Sequence, residues 1–210
     1  GAGSNTIAID GVEHFHETEY TVIPDRIVAG TYLVAAAITG SEIVVHNVNM
    51  EHIQAIVTKL RETGCMITPF QHSVKIKAPQ RLWAIENTKT YPYPGFPTDM
   101  QALLMSVLSV AKGTSIITEN IFENRFKHVP ELIRMGANIR TEGKIAVIQG
   151  VPDLKGAEVS AGDLRGGAAL VMAGLKAEGE TVVDNIHHID RGYENLDEYL
   201  RGVGADINRV

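Results

Sequence analysis

Three stretches of the 210-residue sequence share one order of parts, and this recurrence constrains the fold more than any single motif. The first reads PDRIVAGTYLVAAAITGSEIVVHNV, then EHIQAIVTKLRETGCMI. The second reads PTDMQALLMSVLSVAKGTSIITENI, then FKHVPELIRMGANI. The third reads GDLRGGAALVMAGLKAEGETVVDNI, then YENLDEYLRGVGADI. Each contains an aspartate (Asp25, Asp99, Asp163), a nearly unbroken apolar stretch and a glycine (Gly40, Gly113, Gly179). A short β-branched run follows, then an amphipathic stretch closed by Gly64, Gly136 or Gly204.

Aspartate is a strong N-cap, because its carboxylate accepts the free N–H groups of a first helical turn. A helix apolar on every side must be buried on every side, so the Ala-, Leu- and Met-rich stretches predict interior helices. IVVHNV, SIITEN and TVVDNI read as strands, and so does KIAVIQGV. The amphipathic stretches read as surface helices. Each unit is then roughly β-α-β-α-β-β and about seventy residues long, too long for a solenoid repeat. Three units bring three apolar helices together at the centre with sheets outside, an α/β layering turned inside out. The expected divisions are 1–18 as the tail of a preceding domain and its junction, then a domain over 19–210. Its units fall at about 19–88, 89–157 and 158–210.

Composition bounds the function. With 44% hydrophobic and 21% charged residues the chain is ordinary globular protein. A net charge of -6 gives no overall pull toward nucleic acid or anionic lipid. One cysteine excludes an internal disulfide framework and a Cys-rich zinc site. No apolar run reaches membrane-spanning length and the first residues lack a signal-peptide pattern, so no membrane partner and a cytoplasmic location are expected. IAIDGV at 7–12 resembles AVIQGV at 146–151, which closes the second unit. The chain is therefore expected to be a piece of a longer protein.

PDRIVAGTYLVAAA, YPGFPTDMQA, ENRFKHVPEL, GDLRGGAALVMAGL and HIDRGYE together resemble the second half of the UDP-N-acetylglucosamine enolpyruvyl transferase family. The resemblance runs over essentially all of 1–210. It implies two domains, each an inside-out barrel of three units about a pseudo-threefold axis, with the active site in the cleft between them. It also implies transfer of enolpyruvyl from phosphoenolpyruvate to UDP-N-acetylglucosamine with release of phosphate, the first committed step of peptidoglycan synthesis. No metal or organic cofactor is implied. The partners implied are those two substrates and the missing N-terminal half, without which the chain is expected to be inactive.

The resemblance carries site residues with it. Asp99 in FPTDMQA matches the carboxylate at the sugar hydroxyl, whereas repeat position alone makes it a helix cap like Asp25 and Asp163; the two roles are compatible. Arg191 in HIDRGYE matches an arginine that swings onto phosphoenolpyruvate on domain closure. Arg165 in GDLRGG matches a phosphoenolpyruvate-site arginine near a helix N-terminus, where backbone N–H groups also favour anions. Arg125 in ENRF is an anion contact or a structural ion pair with Glu123 or Asp99. Ile121 matches a backbone or apolar contact to the UDP-sugar, and Lys127 stands where the family pattern has Met.

Cys65 stands where the other units have Ala137 and Ala205, so it reads as a packing residue rather than the family's general acid, whose loop belongs to the other domain. The eight histidines lack ligand spacing, and His187 and His188 are expected to point apart in a strand. GDLRGG lacks the Lys and Ser/Thr of a phosphate-binding P-loop. Two other readings stand beside the first. One is an enolpyruvylshikimate phosphate synthase-like enzyme; the other is a non-catalytic ligand-binding module on the same scaffold.

Overall fold

The computed structural model describes residues 1, 4 and 6–210. From Thr6 to Asp25 the chain forms neither helix nor strand. The first unit follows as α1 (Arg26–Thr39), β1 (Glu42–His46), α2 (Met50–Glu62), β2 (Met66–Phe70) and β3 (Ser73–Lys77). The second is β4 (Asn87–Lys89), a 3-10 turn at Thr98–Met100, α3 (Gln101–Ser109), β5 (Thr114–Thr118), α4 (Val129–Arg134), β6 (Asn138–Glu142) and β7 (Ile145–Gln149). The third is β8 (Glu158–Ser160), α5 (Leu164–Gly174), β9 (Val182–Asp184), α6 (His187–Asp190) and α7 (Leu196–Gly202).

The architecture is mixed α/β. α1, α3 and α5 pack on one another, and all nine residues of α3 are buried. Leu33, Leu103, Leu104 and Leu170 are sealed among them. Burying each such side chain is worth about 1.5–3 kcal/mol, which is why wholly apolar helices collect in the interior. Gly30 of α1 allows the close approach: a Cβ there would lie 2.8 Å from the Met100 sulfur, just ahead of α3. Gly40 ends α1 in the left-handed conformation (φ 69°), and its N–H turns back to Ala36 and Ala37.

Among the described residues three sheets accompany the helices, with strand orders β1-β3-β2, β4-β5-β7-β6 and β8-β9. β3 and β7 each run antiparallel to both neighbours, and the short β4–β5 and β8–β9 pairs are parallel. The equivalence of the units reaches single hydrogen bonds. After α2, α4 and α7, the N–H groups of Cys65, Ala137 and Ala205 donate to Leu60, Leu132 and Leu200 at 3.2, 3.0 and 3.0 Å. Among the described residues no helix is long and apolar enough to cross a membrane.

Two expectations need correction. His187 and His188 lie in α6, not in a strand, with ring centroids 4.1 Å apart. Asn185, at φ 58°, ends β9 early and turns the chain into that helix. The third unit has no closing strand pair; residues 205–210 follow α7 without ladder bonds. IAIDGV at 7–12 is exposed and without ladder bonds among the described residues, whereas 146–149 of the similar AVIQGV lie in β7.

Candidate active site

Asp25 and Asp163 behave as their position demands. Asp25 Oδ1 accepts from the N–H groups of Ile27 (2.7 Å) and Val28 (3.2 Å). Asp163 Oδ1 accepts from those of Arg165 (3.0 Å) and Gly166 (2.8 Å). Asp99 does not cap. It sits inside the 3-10 turn, where Pro97 opens the turn without a side-chain bond. The capping half of its expected double role is therefore absent: the extra turn moves the carboxylate off the N-cap position and leaves it free to face arginines. Arg125 Nη2 donates to Asp99 Oδ1 at 2.8 Å, and Arg165 Nη2 donates to Oδ2 at 3.3 Å.

This ion triad stands where the starts of all three central helices meet. Thr31 in the second turn of α1 shares a 2.9 Å hydrogen bond with the Tyr193 hydroxyl. Arg165 Nη1 donates to that same hydroxyl at 3.3 Å, and the guanidinium lies 5.6 Å from the centre of the Tyr193 ring. Arg165 is only 14% exposed and Asp99 38%. Burial opposes the charge of Arg165, but Tyr193 and then Asp99 outweigh it, so its pKa is raised above the usual arginine value. Arg125 stacks on Phe122, 4.9 Å from the ring centre. Two guanidinium groups beside converging helix N-termini form an anion-attracting rim, with one carboxylate among them.

Sequence reasoning missed what holds this rim in place. Glu119 is buried and accepts four bonds, from the hydroxyls of Thr90 (2.8 Å) and Thr98 (2.9 Å) and from the N–H groups of Ile121 (2.8 Å) and Phe122 (3.1 Å). It pins the residue before Asp99 and the loop leading to Arg125 to one point. No spacing rule flags a lone glutamate at a strand end. Tyr193 was likewise unremarked inside HIDRGYE. His128 is buried between the Arg125 loop and the Asp163 cap; a Cβ on Gly166 would lie 3.1 Å from its own Cβ. Burial pushes its pKa down to about 4; the Asp163 charge opposes this, the Arg125 charge adds to it and a hydrogen bond with the Arg125 backbone opposes it.

Asp99, Arg125 and Arg165 thus form one cluster. Ile121 is exposed on the Glu119-held loop, its N–H already committed to Glu119. Arg191 is the C-cap of α6, its backbone N–H donating to the Ile189 carbonyl, and its exposed side chain makes no hydrogen bond or ion pair among the described residues. Its neighbour Gly192 presses on Leu164 at the start of α5, where a Cβ would lie 2.6 Å from that side chain. Arg191 therefore stands at the same helix end as Arg165 without joining the triad. Cys65 is buried against Thr63, and burial raises its pKa, as suits a packing residue.

The family model for EPSP synthase (3-phosphoshikimate 1-carboxyvinyltransferase) matches residues 1–200. The chain belongs to the EPSP synthase family. Among curated members of this family, it is 57% identical to UDP-N-acetylglucosamine 1-carboxyvinyltransferase 2 of Caldanaerobacter subterraneus subsp. tengcongensis, over 100% of this chain and 50% of the relative. It is 55% identical to UDP-N-acetylglucosamine 1-carboxyvinyltransferase of Myxococcus xanthus, with the same coverage. The chain thus spans about half the length of the curated relatives it matches. Among solved structures, the enolpyruvyl transferase NikO from Streptomyces tendae superposes with a TM-score of 0.77 at 27% identity, over 90% of this chain and 45% of that one. EPSP synthase from Acinetobacter baumannii, at 24% identity and a TM-score of 0.68 over 91% and 45%, shares the fold.

Proposed function

We propose that this chain is one domain of a UDP-N-acetylglucosamine enolpyruvyl transferase and supplies the base-bearing wall of its cleft. Residues 19–210 would close as an inside-out barrel of three units about a pseudo-threefold axis, at about 19–88, 89–157 and 158–210. Residues 1–18 would join it to the other half. The observation that carries the reading is Asp99, held by Arg125 and Arg165 where the central helices begin. The curated relatives sharing more than half of its residues along its whole length are named for this reaction.

A sugar hydroxyl is a weak nucleophile and needs an acceptor for its proton. Asp99 takes that role as the hydroxyl oxygen bonds to C2 of phosphoenolpyruvate and C3 gains a proton. The tetrahedral adduct then loses phosphate and a C3 proton to restore the enol ether. Arg165, Arg125 and the unpaired Arg191 balance the carboxylate and phosphate charges, and Ile121 borders the UDP-sugar. In the unliganded domain both Asp99 oxygens accept from arginines. An arriving anion that claims Arg165 releases one oxygen toward the sugar, so loading the anion readies the base. The acid that protonates C3 comes from the other half, which leaves the 210-residue chain alone inactive.

A second reading, transfer to a shikimate phosphate, draws support from the description of the matching family model. Phosphate release from phosphoenolpyruvate, measured with the full-length enzyme and each acceptor, separates the two. Turnover with UDP-N-acetylglucosamine alone is the expected result, with none from the 210-residue chain. Preference for shikimate 3-phosphate would overturn the assignment. Neither binding nor turnover in the restored protein would favour a non-catalytic module.

A further inference from the structure

Arg165 takes an inward place at a helix start. It follows Asp163 by two residues, as Ile27 follows Asp25, and Ile27 is buried. A guanidinium there needs acceptors for its N–H groups, because a buried charged donor left unpaired is costly. Two acceptors are present, on different elements. Nη2 donates to Asp99 Oδ2 and Nη1 to the Tyr193 hydroxyl, both at 3.3 Å. The Arg125 side chain, whose hydrogen bonds among the described residues go to Asp99 alone, reaches Oδ1 at 2.8 Å. The arginine that is shared makes the longer pair with the carboxylate.

Proton inventory fixes the direction of the bonds behind Tyr193. Thr31 Oγ1 lies 2.9 Å from the Ile27 carbonyl oxygen and 2.9 Å from the Tyr193 hydroxyl. A threonine hydroxyl carries one proton and a carbonyl can only accept, so that proton goes to Ile27. The Tyr193 O–H then donates to Thr31. Arginine can only donate, so the Tyr193 oxygen turns a lone pair to Nη1. The bonds run one way, from Arg165 through Tyr193 and Thr31 to a carbonyl in the first turn of α1. Thr31 and Tyr193 are both buried, and bonds in such a chain polarise one another.

The tyrosine is itself anchored. The N–H groups of Gly192 and Tyr193 both donate to the Ile189 carbonyl at 3.1 Å. Ile189 in turn packs on Gly167 of α5, where a Cβ would lie 2.8 Å from its side chain. The hydroxyl is therefore a fixed point that Arg165 must meet. We infer that Tyr193 is a positioning residue: it holds Arg165 back from Asp99, so that the guanidinium stays open to an incoming carboxylate or phosphate. This rests on the enolpyruvyl transfer proposed for the site and adds what keeps its arginine available. Without the hydroxyl, Nη1 loses its acceptor and the guanidinium closes on the remaining one, Asp99. An arriving anion must then break a tighter pair.

Phenylalanine keeps the buried ring, so Tyr193→Phe in the full-length enzyme tests the hydroxyl alone. It should raise KM for phosphoenolpyruvate about 3–10-fold, with kcat less affected and KM for UDP-N-acetylglucosamine within about twofold. Thr31→Val removes the acceptor of the tyrosine proton without touching an arginine. It should raise the same KM by less, and the double variant should match Tyr193→Phe. An unchanged KM for phosphoenolpyruvate, equal rises for both substrates, or additive effects of the two substitutions overturn the inference. A crystal structure of the Tyr193→Phe enzyme reads the geometry apart from the reaction. The distance from Arg165 Nη2 to Asp99 Oδ2 should shorten from 3.3 Å toward the 2.8 Å of the Arg125 pair. An unchanged distance overturns the inference even where turnover is as proposed. An inactive wild-type enzyme defeats the proposed reaction and leaves that distance to decide the role of Tyr193.

Discussion

Asp25 and Asp163 hold the same place in their units as Asp99 and do a different job. The first two spend their carboxylates on the backbone of the helix they begin. The third has a 3-10 turn between Pro97 and α3, and its carboxylate faces two arginines instead. Repetition conserves position but not the bond made there. One inserted turn in one unit puts a partly exposed charge at a rim where the other two units have a stabilising cap.

The contrast breaks first on turnover. Asp99→Asn in the full-length enzyme should lower phosphate release by about 10²–10⁴-fold, the range for losing a positioned proton acceptor. Asp25→Asn, which keeps an acceptor at the cap, should leave it within a few-fold. Equal losses from both would reduce Asp99 to a structural residue.

A pH titration of stability probes the histidine lying between the Arg125 loop and the Asp163 cap. His128 has a folded pKa lowered to about 4 from an ordinary 6.5, so between those values the unfolded chain binds more protons. Its contribution is therefore complete above pH 6.5 and is lost as pH falls toward 4. The loss amounts to at most about 3 kcal/mol by linkage. Urea midpoints measured between these limits should show a slope that His128→Phe flattens.

Arg165→Met removes a charge-assisted bond worth about 1.5–3 kcal/mol, so KM for phosphoenolpyruvate should rise about 10–100-fold, with kcat less affected. An effect on kcat alone would place Arg165 outside ground-state anion binding. The smallest effects concern stability alone. Asp25→Ala and Asp163→Ala should each cost about 0.5–2 kcal/mol in chemical denaturation. Asp99→Ala should cost under about 1 kcal/mol, since its ion pairs are partly exposed and screened. A larger cost at Asp99 than at the two caps would erase the distinction.

Much of the fold was legible because its rules are local. The apolar stretches became α1, α3 and α5, the β-branched runs became β1, β5 and β9, and Cys65 packed where alanine stands in the other units. Asn185 defeated the strand reading at His187 and His188, since its left-handed backbone is set by the turn it enters. Of the site, Asp99, Arg125 and Arg165 came together as a cluster, with Asp99 among the alternatives already named for Arg125. Glu119 and Tyr193 stayed hidden, because their partners lie far along the chain: Thr90 is 29 residues from Glu119, and Thr31 is 162 from Tyr193.

The sequence by itself determined three buried helices, the caps on two of them and the glycines that end each surface helix, because those outcomes depend on neighbours a few residues apart. Which aspartate would face two arginines was decided only by tertiary structure. Asp99 meets Arg125 across 26 residues and Arg165 across 66, and only folding brings charges so distant along the chain to one helix end.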